Sequence, residues 1–343
     1  MAQINKPDTY FNTKLYTGNA STLSVTGVGF QPDWVWIKNR SIVADHKEFD
    51  AVRGVTNALV TNSTSAEFSQ SGLDSFDSDG FTVGSHVGCN GNGNSLVAWN
   101  WLASNTTASN TDGSITSTVS ANTTSGFSIV SYTGNGTSGT IGHGLGSIPQ
   151  MIIVKNRTDS AHEWKVYHHT LGNNKRLHLN DTSAVATTTA PWNATTPTSS
   201  VFSVGADGGT NDSGDSMIAY CFAEKKGFSK FGSYTGNGNA DGPFVYTGMR
   251  PAFVLIKQSS AAGQNWFLTD NKRNEFNAVD KLLYADSSNA EVTSGSHPID
   301  FLSNGFKCRG TGAGNNASGS TYIYMAFAEN PLVGTNNIPA TAR

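Results

Sequence analysis

Three short motifs recur in the same order along the chain. The tetrapeptide Tyr-Thr-Gly-Asn begins at Tyr16, Tyr132 and Tyr234. A lysine then follows a proline by six residues, with an apolar run between them, at Pro32 and Lys38, Pro149 and Lys155, and Pro251 and Lys257. An aromatic-rich run ends each copy, at 97–101, 218–222 and 323–327. Repetition at a spacing of about 100 residues indicates that the chain is built from copies of one unit.

The size and composition of the units predict an all-β fold. About 100 residues is the usual size of a two-sheet antiparallel sandwich. Runs rich in β-branched and aromatic residues, such as 127–132 and 201–204, are bounded by Gly, Asn and Asp turns. We therefore expect three tandem antiparallel β-sandwich repeats of the concanavalin or jelly-roll type.

The junctions between the repeats differ in length. The predicted divisions are a first repeat at 1–104, a Ser/Thr/Asn-rich linker at 105–125, a second repeat at 126–227, and a third repeat with a C-terminal tail at 228–343. Because the second junction is short, we expect repeats two and three to pack rigidly and the first repeat to be set apart.

The strand before each motif lysine carries further information. Residues 151–154 and 253–256 are apolar at every position, and Trp34 and Trp36 share one face of the first copy, opposite Val35. A strand with one wet face alternates apolar and polar residues, so both faces of this strand are predicted to be covered. The cover could be a neighbouring repeat, another subunit, or simply a loop over a central strand.

Charge is scarce and nearly balanced. Lys and Arg total 22, Asp and Glu total 25, and charged residues make up 14% of the chain, against about 25% in an ordinary soluble domain. Such a chain has too weak a positive electrostatic potential to attract phosphate groups, which argues against a nucleic-acid partner. No apolar run approaches the ~18 residues of a membrane span, so no membrane insertion is predicted.

The usual catalytic and metal-binding constellations are weak. Cys89, Cys221 and Cys308 are odd in number and widely spaced, which argues against a disulfide framework or a structural zinc. Carboxyl pairs for glycoside hydrolysis could come from Glu48 with Asp50, or from Asp74, Asp77 and Asp79. Glu67 and Glu291 occupy matching repeat positions and are interpreted as fold features. The chain is therefore predicted not to be an enzyme and to need no cofactor.

The repeats also separate structural from binding residues. Trp164 and Trp266 each follow a motif lysine by nine residues and are assigned to the core. Trp192 and Tyr246 have no counterpart, and an aromatic face beside Asn and Asp side chains suits a sugar ring. His168 is the groove candidate of a histidine cluster in the second repeat; neighbouring strand residues point to opposite sides, so it cannot share a metal with the next histidine. The predicted binding residues are Trp192, Tyr246 and His168, with no metal site.

Several longer stretches resemble a known family. They include 4–18, 29–38, 76–81, 167–172, 231–238 and 328–331. Together they are similar to a family of repeat proteins common in tailed phages of marine bacteria and cyanobacteria, and the resemblance covers nearly the whole chain. It implies a virion structural or tail-fibre-type component with concanavalin-like sandwich units, and it brings no catalytic residue.

The resemblance and the composition together set the functional expectation. We expect a phage virion protein exposed on the particle, of tail-fibre or baseplate type, that contributes to recognition of host-surface glycans. Its expected partners are other virion proteins, a host glycan or receptor, and further copies of itself in a homotrimer, although three tandem copies could instead match a three-fold site as a monomer. The alternatives are a capsid decoration or head fibre with a purely structural role, and a glycan depolymerase acting through Asp74, Asp77 or Glu48.

Overall fold

A computed structural model describes residues 3–335 and 337–342. In this part of the chain nearly all regular structure is antiparallel β-sheet, with short helical turns. The prediction of an all-β fold is confirmed. For description we call residues 11–101 segment A, 127–222 segment B and 229–331 segment C.

The elements follow in chain order. After a 3-10 turn at Pro7–Thr9, segment A contains β1 (Phe11–Thr17), β2 (Leu23–Thr26), β3 (Trp34–Asn39), β4 (Lys47–Asp50), β5 (Asn57–Ala58), β6 (Phe68–Ser69), β7 (Ser75–Asp77), β8 (Gly80–Val83), α1 (Val87–Asn90) and β9 (Ser95–Trp101). Between A and B lie β10 (Ala108–Asn110) and β11 (Ser117–Asn122). Segment B contains β12 (Phe127–Thr133), β13 (Gly139–Gly142), β14 (Met151–Asn156), β15 (Lys165–His168), β16 (Lys175–His178), β17 (Ala186–Thr187), β18 (Val201–Val204), α2 (Gly208–Asn211) and β19 (Ser216–Phe222). Segment C contains β20 (Ser229–Thr235), β21 (Phe244–Tyr246), β22 (Met249–Gln258), β23 (Trp266–Asp270), β24 (Lys281–Tyr284), β25 (Val292–Thr293), β26 (Ile299–Leu302), β27 (Gly305–Cys308), α3 (Ala313–Asn316) and β28 (Thr321–Pro331).

One strand order occurs in all three segments. The large sheets contain the orders β1-β9-β3-β4, β12-β19-β14-β15 and β20-β28-β22-β23. Each large sheet packs through one face on a smaller sheet of its own segment, formed by β2-β8-β7, β13-β18 or β21-β27-β26. The motif lysine is the second-last residue of β3, β14 or β22. The aromatic-rich run lies on the neighbouring strand β9, β19 or β28, which is the last strand of its segment in chain order.

The second faces of the three large sheets meet in one shared core. Trp34 of segment A stacks on Tyr220 of segment B with ring centroids 4.4 Å apart, and Phe11 stacks on Phe327 of segment C at 5.0 Å. Residues of all three segments contribute to this core. Both faces of the motif strands are therefore buried, as predicted, and the neighbouring segments of the same chain cover the second face. The expectation that the first repeat stands apart is wrong, because its tryptophans lie in the common core.

Hydrogen bonds close the three segments into a ring. The side chains of Trp164, Trp266 and His46 each contact a backbone carbonyl of another segment, at Val60 (2.9 Å), His178 (2.7 Å) and Tyr284 (2.9 Å) respectively. These contacts run from B to A, from C to B and from A to C. The ring is thus complete within one chain.

The motif lysines make a parallel set of contacts between segments. Each is wholly buried, and burial lowers the pKa of each ammonium group to about 8. The ammonium groups of Lys38, Lys155 and Lys257 donate to the carbonyls of Ser288 (3.2 Å), Thr64 (2.9 Å) and Thr182 (3.4 Å), respectively. The recurring lysine is therefore a bond between segments rather than a surface charge.

The predicted linker at 105–125 is part of the sheet. Strand β11 pairs with β12 along its whole length, from Ser117 opposite Tyr132 to Asn122 opposite Phe127. Val119 is buried while its neighbour Thr118 is exposed. Ser117 and Ser120 of the same strand are buried as well. A strand rich in Ser and Thr has the composition of a linker, and this explains why composition alone misassigned it.

Glu48 is an exception within the shared core. It lies opposite Trp36 on β4, where the corresponding residues of segments B and C are Val166 and Leu268. Its carboxylate is wholly buried and neither oxygen has a hydrogen-bond partner among the described residues. Burial raises the pKa of Glu48 well above its usual range, although Arg53 partly opposes this.

We predict that Glu48→Leu stabilises the protein and that the gain grows with pH. The folded state binds the Glu48 proton more tightly than the unfolded state, whose pKa is ~4.3. Stability of the parent protein therefore falls as pH rises above that value, whereas the variant lacks this loss. At pH 7 the free energy of unfolding should rise by about 1–3 kcal/mol, the usual cost of an unsatisfied buried polar group.

Urea unfolding between pH 4 and 8 measures this difference. The matched control is Leu268→Glu, which places a carboxyl at the corresponding position of segment C and should lower stability increasingly with pH. A Glu48→Leu protein that is less stable than the parent throughout would show that the carboxyl has a favourable partner.

Candidate functional site

An open cleft lies at the boundary of segments B and C. Its volume is about 890 Å³, within the range of ~300–1,000 Å³ common for ligand sites. Segment B contributes the loop that includes Ile148 and Gln150, and segment C contributes the start of β20 and the end of β21. Three residues of the short connection at 223–228 also line it: Glu224, Lys226 and Gly227.

Tyr246 is the aromatic side chain of this cleft. It is 57% exposed at the end of β21. It lies opposite Gly305 of β27, and the strand pairing places Thr26 and Gly142 at the corresponding positions of segments A and B. Gly248 lies beneath the tyrosine: a Cβ there would be 3.4 Å from the Tyr246 hydroxyl, and its φ of +71° favours glycine. The turn therefore holds the ring at the cleft without a competing side chain.

The cleft lining combines one acidic residue, Glu224, with two lysines, Lys226 and Lys230. Glu224 and Lys230 form an ion pair at 2.8 Å, each about one third exposed. The Gln150 amide donates to the Ile148 carbonyl at 3.2 Å. The hydroxyls of Ser147, Ser199 and Thr247 belong to residues in the same lining. The site thus offers amide, hydroxyl and paired ionic groups around one exposed aromatic ring.

The corresponding space between segments A and B is filled by the chain itself. A Cβ on Gly142, the counterpart of Tyr246 in segment B, would collide with the side chain of Asn110 on β10. Asp33, where segment C has Ala252, accepts backbone hydrogen bonds from Ala103 (2.7 Å) and Asn105 (3.2 Å). Burial raises the pKa of Asp33 to about 6. The connection at 102–126 is long enough to cover this boundary, whereas the connection at 223–228 leaves the second one open.

The structure separates the three predicted binding residues. Trp192 is 2% exposed; its indole donates to the Lys175 carbonyl at 3.0 Å, and its ring packs on Tyr167. His168 is wholly buried, and its Nε2 lies 3.3 Å from the Tyr324 carbonyl. Burial lowers the pKa of His168 to about 3. Of the three, only Tyr246 lies at the surface and in the cleft.

The other cleft residues gave no signal in the sequence. Gln150, Glu224 and Lys230 come from three separate places along the chain, and only the packing of segments B and C brings them together. Trp192 and Tyr246 are both predicted because the other repeats have no matching aromatic residue. This criterion does not distinguish a buried loop anchor from an exposed ring.

The carboxylates considered for hydrolysis are held by the fold. Glu48 and Asp50 are both wholly buried, and Asp50 is ion-paired with Arg53. Asp79 accepts the backbone N–H groups of Gly27 and Gly29. In this structure the Glu48 carboxylate is therefore out of reach of a substrate in solvent.

Asp77 and the recurring glutamates also have structural contacts. Asp77 accepts hydrogen bonds from the hydroxyls of Ser75 and Thr82, both at 2.7 Å. Glu67 and Glu291 bind Arg157 and Arg40 across segment boundaries, each pair with a shortest distance of 2.7 Å. The interpretation of the two glutamates as fold features agrees with these contacts.

Comparison with known proteins places the chain in one family. The model of a domain of unknown function, DUF7483, matches residues 6–331, and the chain therefore belongs to that family. No curated protein matches the sequence. Among the described residues, no helix has the length and apolar character to cross a membrane.

The contrast between the two unmatched aromatics gives a prediction about stability. Trp192→Ala should lower the free energy of unfolding by about 3–5 kcal/mol, because it empties a buried site and removes the bond to Lys175. Tyr246→Ala should change it by no more than ~0.5 kcal/mol, because the ring is mostly exposed. Urea unfolding followed by circular dichroism measures both. Equal losses in the two variants would show that Tyr246 is a structural anchor.

Proposed function

We propose that this protein recognises carbohydrate on a cell surface through the cleft that contains Tyr246. The observation that carries the proposal is an exposed tyrosine in a cleft of about 890 Å³ lined by amide, hydroxyl and paired ionic groups. A sugar ring has apolar C–H faces that pack on an aromatic ring and hydroxyls that pair with such polar groups. Charged residues make up only 14% of the chain, and a surface poor in charge lowers the cost of desolvation when a neutral glycan binds.

We further propose that the protein is an exposed virion component of a tailed phage, on the tail fibre or baseplate. This setting rests on the resemblance of the repeated motifs to phage repeat proteins. The recurrence of one strand order in segments A, B and C supports three tandem sandwich copies of the concanavalin or jelly-roll type. Other virion proteins and a host glycan would then be the partners.

The closed ring favours a second candidate role. Contacts between segments run from B to A, from C to B and from A to C, so one chain supplies a three-fold arrangement that usually needs three subunits. Such a chain can occupy a three-fold position of a particle as a monomer. A capsid decoration or head fibre would use this property without binding sugar.

Binding to glycans from host envelopes tests the cleft. Tyr246→Ala should weaken binding to an immobilised polysaccharide panel by at least ~10-fold, the equivalent of about 1.4 kcal/mol. Tyr246→Phe should retain most of the binding, because the stacking face remains. Biolayer interferometry with the purified full chain provides the measurement.

The matched control is Phe244→Ala. Phe244 lies on the same strand, is 46% exposed and is outside the cleft lining, so its removal should leave binding unchanged. Equal losses for the two alanine variants would point to a nonspecific surface effect. Absence of binding to every glycan, together with labelling of phage heads rather than tails, would favour the structural role.

A further inference from the structure

Three side chains that can ligate a metal meet on the surface of segment B. They are Asp159 and His162, in the loop between β14 and β15, and Asp212, which follows α2. One ligand atom of each lies within 4.8 Å of those of the other two. The side chains are between 26% and 47% exposed, so solvent reaches the site. We propose that these three residues bind a divalent transition-metal ion of the zinc type.

The separations fit ligands of one ion better than direct ion pairs. His162 Nε2 lies 3.5 Å from Asp159 Oδ2 and 3.6 Å from Asp212 Oδ2. A charge-assisted hydrogen bond between these groups would be ~2.7–2.9 Å long. Two ligand atoms each ~2.1 Å from a tetrahedral ion lie ~3.4 Å apart. The imidazole nitrogen therefore sits between two carboxylate oxygens at the spacing of a shared ion.

In each of the two carboxylates, one oxygen accepts a backbone hydrogen bond and the other faces His162. Asp159 Oδ1 accepts the Ala161 N–H at 2.8 Å, and Asp212 Oδ1 accepts the Ser213 N–H at 2.9 Å. In both residues the other oxygen, Oδ2, is the one nearest His162. Fixing one oxygen in this way is how supporting residues commonly position metal ligands.

The loop that carries Asp159 and His162 is hydrogen-bonded to a buried lysine and packs against α2. The buried ammonium of Lys155 donates to the His162 carbonyl at 3.0 Å and lies 3.5 Å from the Asp159 carbonyl. The imidazole lies against Gly208, where a Cβ would be 2.3 Å from His162 Cε1. Any side chain at 208 would displace the ring. The glycine at the start of α2 therefore leaves the space that the imidazole occupies.

Among the described residues, only segment B brings three such ligands together. The residue after each short helix is Gly91 in A, Asp212 in B and Ala317 in C. The corresponding loop of C, 259–265, contains no acidic residue or histidine. The loop of A contains Asp45 and His46, but His46 is wholly buried and its two ring nitrogens contact Trp36 and Tyr284. The fold thus forms without these ligands twice in the same chain, and the three side chains are not needed for the architecture.

The ligand set indicates the class of ion. A histidine nitrogen with two carboxylates is suited to zinc and its neighbours, while calcium and magnesium prefer oxygen ligands alone. Water would complete the coordination. An ion here would join the β14–β15 loop to α2. Because α2 follows β18 of the small sheet, the ion would link the large and the small sheet of segment B.

Titration of the chelator-treated full chain with Zn²⁺ by calorimetry tests the proposal, with Co²⁺ absorption as a report of tetrahedral coordination. We expect one ion per chain, proton release on binding, and a rise in melting temperature with Zn²⁺. His162→Gln and Asp212→Asn should each weaken binding by at least ~10-fold and abolish the thermal shift. Both variants should melt at the parent temperature without metal, because the other segments fold without these ligands.

Asp181→Asn is the matched control. Asp181 contacts His178 directly at 2.8 Å in the same segment without a third ligand, so Zn²⁺ binding should persist in this variant. Unchanged binding in both His162→Gln and Asp212→Asn would place the ion elsewhere and overturn the proposal. Absence of binding at millimolar Zn²⁺ would overturn it as well.

Discussion

The bond from each motif lysine to a carbonyl of another segment is the constraint on which the arrangement depends. A buried ammonium is costly unless it is well paired, and here backbone carbonyls replace the water. Lys155, for example, donates to Thr64 in segment A as well as to carbonyls of its own loop. If the segments separated, the ammonium would lose its carbonyl from the other segment. Because Lys38 and Lys257 make the same contact at the other boundaries, the position of each segment fixes the next.

The three boundaries between segments differ in their ionic contacts but share one backbone hydrogen bond. Arg157 with Glu67, and Arg40 with Glu291, join two of the three boundaries, while the third has Ser259 and Val185 at the corresponding places. The backbone bond nevertheless remains, since the Val185 N–H donates to the Ser259 carbonyl at 2.9 Å, as that of Glu67 does to Arg157 at 2.8 Å. The third boundary lacks both charges of the pair, so no unpaired buried charge is left there.

Much of this fold could be predicted from the sequence, because repetition marks the positions that the fold requires. The recurring lysine and the strands with two apolar faces follow from that pattern. The cover over the second face could not be predicted, because Trp34 and Tyr220 are far apart in sequence and only ring closure brings them together. The match between His46 and Trp164 is hidden in the sequence because the two residues follow their motif lysines at different spacings. Of the predicted site only Tyr246 lies in the cleft; Trp192 has the same lack of a counterpart but fills a gap in the core.

Comparison of the three segments therefore distinguishes two kinds of difference. Buried differences come with compensating changes, as when Ser259 and Val185 together replace an arginine and a glutamate. Tyr246 stands at an exposed position where the other segments have Thr26 and Gly142. The proposed metal ligands Asp159, His162 and Asp212 are likewise partly exposed. The architecture imposes neither difference, since two other segments form without it. The two proposed sites account for exposed residues that packing does not require. Both proposals assign binding to segments B and C, whose boundary is left open by the short connection at 223–228.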